Sequence, residues 1–124
     1  MSATVLIIED EPAVLQLEKR ILERMGCRVL AASSAELGLE VARKGQLDLI
    51  LLDVMLEGAS GFDLARQLRQ EEQTRKIPIV FVTAKDEPQD MIEGFATGGL
   101  VYLTKPFSEK NLETAIRSVL PPQE

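Results

Sequence analysis

Glu9 and Asp10 close one apolar run, "TVLIIE", and Asp53 closes another, "LDLILLD"; Thr83 ends "IPIVFVT" and Lys105 follows "LVYLT". A carboxylate at the end of a buried strand is costly unless it is partnered. Three of them in one pocket repel by about 4 kcal/mol per pair at ~4 Å and an effective dielectric near 20, so positive charge must accompany them. A divalent cation together with Lys105 meets that need. Oxygen donors without histidine or cysteine favour Mg²⁺, which accepts one or two carboxylates and takes its remaining ligands from water and phosphate. Beside such a metal, Asp53 can attack phosphorus and form an acyl phosphate. Lys105 then serves as a phosphate-pairing cation and Thr83 as a hydroxyl at the rim, while the small Ala84 leaves its backbone N–H approachable. Plainer readings stand beside this one: Glu9 and Asp10 as acids before the helix that Pro12 opens, Asp53 as a turn residue, Thr83 as a β-branched strand residue, Lys105 as a surface lysine before a bend. Convergence of all these positions, rather than any single one, favours the chemical reading.

The elements that must position them follow from periodicity. Apolar runs of strand length, "TVLIIE", "RVLAA", "LDLILLD", "IPIVFVT" and "LVYLT", alternate with stretches of helical period. None alternates strictly with polar residues, as expected for strands buried on both faces of a parallel sheet. Val14, Leu17, Ile21 and Met25 predict a first helix stopped at Gly26. "SSAELGLEVARKG" predicts a second, with a capping box from Ser33 to Glu36 and an end at Gly45; Ser60 and Asp63 open a third at the same spacing. Asp86, Glu87 and Pro88 open a fourth that buries Ile92 and Phe95, and Ser108 caps a fifth that buries Leu112, Ile116 and Val119. The fold class is therefore α/β, a doubly wound parallel sheet of β-α units. In such sheets ligands bind outside the carboxyl ends of the strands, where the residues above fall.

With 124 residues, 45% of them apolar, one domain is expected over 1–120, with 121–124 ("PPQE") as a tail or the start of a linker. The formal charge of −6, from 14 basic and 20 acidic residues, argues against direct nucleic-acid or anionic-membrane binding. No apolar run approaches the ~18 residues of a membrane span, and there is no basic-then-apolar leader, so a cytoplasmic protein is expected. Cys27 is the lone cysteine and reads as a small buried hydrophobe. The absence of histidine removes the commonest general base and any phosphohistidine role for the chain itself.

The chain resembles the receiver domains of two-component response regulators from about Thr4 to Leu120. "EDE" after the first strand, "LLDVML" with Asp53, "GFDL", "VTAK" and "YLTKPF" stand in the family's order and at its spacing. The resemblance implies a flavodoxin-like (βα)5 fold with strand order 2-1-3-4-5. It implies that Asp53 is the phosphoacceptor, that Asp10, Asp53 and the backbone carbonyl of Met55 ligate Mg²⁺, and that Glu9 acts through a water. Lys105, Thr83 and the Ala84 amide would bind the phosphoryl oxygens, Thr83 and Tyr102 would form the switch, and the peptide before Pro106 would be cis. By the same resemblance, the donor is a sensor histidine kinase or a phosphotransfer protein. The signal would leave through the face of helix four, strand five and helix five to a downstream protein or fused output domain, with a homodimer as one form. The domain would catalyse only its own phosphorylation and dephosphorylation.

Three features depart from the family pattern. Glu57 stands where proline is usual and reads as a solvated acid that loosens the loop before helix three. Leu100 and Val101 replace expected charges and make the signalling face more apolar, while "MIEGF" lacks the arginine used in charge-paired dimers. Gly98 and Gly99 predict a mobile entry into strand five. A phosphorylation-independent interaction module is the alternative function that the apolar face suggests. A small Mg²⁺-dependent phosphatase using Asp53 is a third, opposed by the lack of a cap domain or a second general acid.

Overall fold

The computed structural model describes residues 2–121. Five strands, β1 (Thr4–Ile8), β2 (Arg28–Ala32), β3 (Leu49–Leu52), β4 (Ile79–Thr83) and β5 (Gly99–Thr104), form one sheet whose spatial order is β2-β1-β3-β4-β5. All neighbouring pairs are parallel. The helices between and after them are α1 (Pro12–Arg24), α2 (Ala35–Lys44), α3 (Gly61–Gln70), α4 (Pro88–Ala96) and α5 (Glu109–Val119). The architecture and strand order are those expected from the sequence.

The apolar runs lack alternation because each strand feeds two cores. Leu6, Ile8, Ile50, Leu52, Ile79 and Phe81 face one, with residues of α2 and α3. Val5, Ile7, Leu49, Leu51, Val80 and Val82 face the other, with residues of α1 and α5. Successive side chains on a strand point to opposite faces, so a sheet covered on both sides needs apolar residues at every position.

Several helix details differ from expectation. In α1 the buried stripe is Glu18, Ile21 and Leu22, with Leu15 packed against it, whereas Leu17 is exposed. The α2 cap is Ser34, not Ser33: its Oγ accepts from the Leu37 N–H at 3.1 Å. Three residues on from Ser34 stands a leucine, which cannot return the bond, so no reciprocal box forms there. Ser60 caps α3 by accepting from the Phe62 N–H at 3.1 Å, and Asp63 pairs instead with Arg66 at 2.9 Å. The expectation that α4 buries Ile92 and Phe95 is overturned, for both side chains point outward and Gly94 is the buried residue of that helix. Their spacing marks one face of a helix without saying whether that face meets the sheet or solvent. In α5, Leu112 and Ile116 are fully buried and Val119 partly so, under a Ser108 cap on the Asn111 N–H at 3.0 Å. Residues 122–124 of the expected tail lie outside the described residues. Among the described residues no helix is long and apolar enough to cross a membrane.

Candidate functional site

The strand order sets β1, β3, β4 and β5 side by side, so the residues leaving their carboxyl ends share one rim. Register makes this close. The Glu9 N–H donates to the Ala32 carbonyl at 3.1 Å and the Asp53 N–H to the Ile8 carbonyl at 3.1 Å, which extends the ladder just past the strands. On the other side the Lys105 N–H donates to the Thr83 carbonyl at 2.8 Å. The Lys105–Pro106 peptide is cis.

At the centre lies the Lys105 ammonium. It donates to Glu9 Oε1 at 2.7 Å, Asp53 Oδ2 at 2.9 Å and Glu11 Oε1 at 3.2 Å. Glu9 and Asp53 are buried, and a buried carboxylate is tolerated when its charge is matched and its lone pairs are used. The second oxygens are indeed used: Glu9 Oε2 accepts from the Glu11 N–H at 3.1 Å, and Asp53 Oδ1 from the Met55 N–H at 3.0 Å. Burial pushes the Glu9 carboxyl up to about 7, and the Asp53 charge pushes the same way against the pull of Lys105. Burial works against the Lys105 charge, but its bonds to Glu9 and Asp53 outweigh it and raise its pKa.

Asp10 is half-buried, and its Oδ2 accepts the Glu57 N–H at 2.7 Å. Position 57 thus touches the site through its backbone, while its side chain is exposed. The loop that carries Met55 and Glu57 is ordered by a short antiparallel ladder of Met55–Leu56 with Ala59–Ser60. It then passes close behind Asp53, where a Cβ on Gly61 would lie 2.2 Å from the Asp53 carbonyl oxygen. Only glycine fits there, which gives "GFDL" its local reason.

Carboxylate oxygens of Glu9, Asp10 and Asp53 come within 4.8 Å of one another. This is an all-oxygen donor set suited to a hard divalent cation, and Mg²⁺ fits its chemistry. Thr83 is fully buried, and its Oγ1 accepts from the Lys85 N–H at 3.3 Å. Ala84 beside it is exposed. Tyr102 stacks near Phe81, with ring centroids 5.9 Å apart, and its hydroxyl donates to the Lys85 carbonyl at 2.8 Å. Lys85 therefore joins Thr83 and Tyr102 through the two ends of one residue. Burial, with Asp90 and Asp53 nearby, pushes the Tyr102 phenol up to about 12.

The structure thus brings Glu9, Asp10, Asp53 and Lys105 into one cluster, with Thr83 and Tyr102 linked through Lys85. Sequence reasoning missed Glu11 as a third partner of Lys105; the only signal was its place in "EDEP". It also missed Glu18, which is buried and whose Oε1 has no hydrogen-bond partner among the described residues. Burial pushes that carboxyl up to about 8, and the Glu9 charge adds to the effect. Its signal was spacing: Leu15, Glu18 and Leu22 recur at three and four, with a charge in the middle of the stripe.

The family model for the response regulator receiver domain matches residues 5–117. The transcriptional regulatory protein YvrH of Bacillus subtilis is 41% identical over 120 residues, which is 96% of this chain and 49% of YvrH. The chain spans about half the length of the first curated relatives it matches. Among solved structures, the chemotaxis protein CheY4 of Vibrio cholerae superposes with a TM-score of 0.91 at 29% identity, over 97% of this chain and all of that one. The receiver domain of the sensor histidine kinase PA1611 from Pseudomonas aeruginosa, solved with a magnesium ion coordinated in the active site cleft, gives 0.87 at 26% identity, over 96% of this chain and 98% of that one.

Proposed function

The chain belongs to the response regulator receiver family, and on that premise we propose that Asp53 accepts a phosphoryl group from a phosphohistidine on a sensor kinase or phosphotransfer protein. The observation that carries this reading is the Lys105 ammonium bonded to Asp53 at 2.9 Å beside the Glu9 and Asp10 carboxylates. An Asp53 oxygen attacks phosphorus, the bond to the imidazole nitrogen of the donor breaks, and the imidazole leaves with that electron pair. The product is an acyl phosphate, later lost to water.

The Asp10 and Asp53 carboxylates and the Met55 carbonyl would hold the metal, with Glu9 acting through a water. When bound, Mg²⁺ supplies positive charge to the oxygens of the transferring group. Lys105 pairs with those oxygens as its bond to Asp53 is exchanged for one to the phosphoryl group. Thr83 Oγ1 accepts a long bond from the Lys85 N–H, and its own proton donates to a phosphoryl oxygen while the Ala84 N–H donates to another. The added group brings about −1.5 to −2 of charge, enough to draw Thr83 inward and bias Tyr102 and the face of α4, β5 and α5. A downstream protein, a fused output domain or a second copy of the chain reads that face in the cytoplasm. Such a domain modifies itself and does not turn over substrate.

Incubation with Mg²⁺ and acetyl phosphate, followed by intact-mass measurement, should show one phosphoryl group added and none on Asp53→Asn. An unchanged mass with acetyl phosphate and with a phosphorylated kinase would sink the assignment. One observation favours a second reading: Ile92, Phe95 and Leu100 are all exposed on α4 and β5. That apolar surface suits a module that binds a partner without phosphorylation, a reading supported by partner binding that ignores both Mg²⁺ and Asp53→Asn.

A further inference from the structure

Helix α4 buries Gly94 and turns Ile92 and Phe95 to solvent, so apolar packing alone does not locate it. Two arginines of α3 reach it and the turn that follows it. Arg66 pairs with Glu93 at 2.5 Å as well as with Asp63. Arg69 donates through Nη1 to the Arg75 carbonyl at 2.8 Å and through Nη2 to the Gly98 carbonyl at 2.6 Å. One guanidinium thereby ties α3 to the segment before β4 and to the turn between α4 and β5.

That turn is built around the arginine. Gly98 has φ +106°, and a Cβ there would lie 2.0 Å from Arg69 Nε, so the guanidinium fills the space a side chain would take. The next residue, Gly99, begins β5 opposite Ile79, but Val101 pairs with Val80, which leaves Leu100 as an extra residue. An irregularity of this kind re-aims the side chains that follow it, and here the strand's start is pinned just before the slip. Two residues past Leu100, Tyr102 meets Phe81 and bonds the Lys85 carbonyl, while the Lys85 N–H bonds Thr83.

We infer that Arg69 is a positioning residue for the Thr83–Tyr102 pair: by holding the Gly98 carbonyl it fixes where β5 begins, and so whether the Tyr102 hydroxyl reaches Lys85. The link from that pair to Asp53 chemistry rests on the phosphoacceptor reading above; the link from Arg69 to Tyr102 does not. The expected mobile entry into β5 is, on this inference, restrained by a side chain from α3.

Tyr102 is the only tyrosine and there is no tryptophan, so intrinsic emission reports that residue alone. Acrylamide quenching of the full chain at neutral pH is expected to rise about twofold or more in Arg69→Ala, as a locally opened site admits the quencher. Arg69→Lys, which keeps the charge and loses the two-pronged fork, should fall between that variant and the wild type. Arg43→Ala, which removes a different interhelical arginine contact, to Glu71, should match the wild type. In the presence of Mg²⁺, Arg69→Ala should also bind beryllofluoride, a phosphoryl mimic, about fivefold or more weakly by fluorine NMR, since a shifted switch must change affinity at the coupled site. Wild-type quenching in Arg69→Ala, or an equal rise in Arg43→Ala, would overturn the inference. Beryllofluoride that fails to bind the wild type counts against the phosphoacceptor reading and leaves the quenching result to decide on Arg69.

Discussion

Helices α4 and α5 flank β5 in the chain, one before it and one after, yet different forces attach them. Leu112, Ala115 and Ile116 of α5 are buried in the core they share with α1, and each large side chain so buried is worth about 1.5–3 kcal/mol. For α4 only Gly94 is buried, and the side-chain bonds that hold it and its flanks are polar: Arg66 to Glu93 within the helix, Arg69 to the Gly98 carbonyl just after it, and the Tyr102 hydroxyl to the Lys85 carbonyl just before it. Apolar burial is non-directional and is not weakened by charge screening, whereas hydrogen bonds and ion pairs demand one geometry and the ion pairs weaken when screened. A helix held the second way shifts at small cost. The contrast assigns stability to one side of β5 and adjustability to the other.

The sharpest way to break this contrast is to truncate both helices. Ile116→Ala should cost about 2–5 kcal/mol in urea unfolding, as for other large-to-small core changes. A comparable loss for Phe95→Ala would show that α4 is anchored like α5.

The apolar side has one anomaly, Glu18, which sharpens the comparison through pH. The groups acting on it are Glu9, Glu11 and Asp53, which repel its charge, and Lys105, which attracts it. Its folded pKa is raised to about 8 from an ordinary 4.5, so the folded chain keeps a proton that the unfolded chain has lost. The stability linked to that proton is fully present below about 4.5 and is lost as pH rises toward 8. By pH 7 the loss is on the order of 3 kcal/mol. Glu18→Gln should flatten this dependence, gaining most over the wild type near pH 8 and little near pH 5, as read by denaturation midpoints at each pH.

A smaller effect is expected where α4 does touch the core. A Cβ on Gly94 would meet the Tyr102 ring at 2.6 Å, so Gly94→Ala sets overpacking of about 1–3 kcal/mol against a helix-propensity gain of ~1 kcal/mol. The net loss is modest, and altered Tyr102 emission is the clearer readout. Smallest of all is the salt effect. At 1 M salt the screening length falls to about 3 Å, so amide exchange in α4 should quicken by a fraction of a kcal/mol while α5 stays protected.

The same contrast explains what the sequence disclosed. Strands were legible because residues such as Leu49 to Leu52 must be apolar on both faces, and Asp53 stood out because a charge ends that run. Leu112 and Ile116 were legible because period and burial coincide there. For Ile92 and Phe95 the period was correct and the inference of burial was not, since only tertiary placement says which way a stripe faces. Glu18 was hidden by its own charge, which removes it from any apolar count although it lies in the buried stripe. Around the site, Glu9, Asp10, Asp53 and Lys105 could be gathered by topology alone. The bonds from the Lys105 ammonium to Glu11 and from the Glu57 N–H to Asp10 depend on loop geometry that residue types do not encode.

The outward setting of Ile92 and Phe95 also bears on how such a domain diversifies. Replacements at two such exposed positions are expected to cost folding little, so natural selection can rewrite them for a new neighbour without first repairing the scaffold.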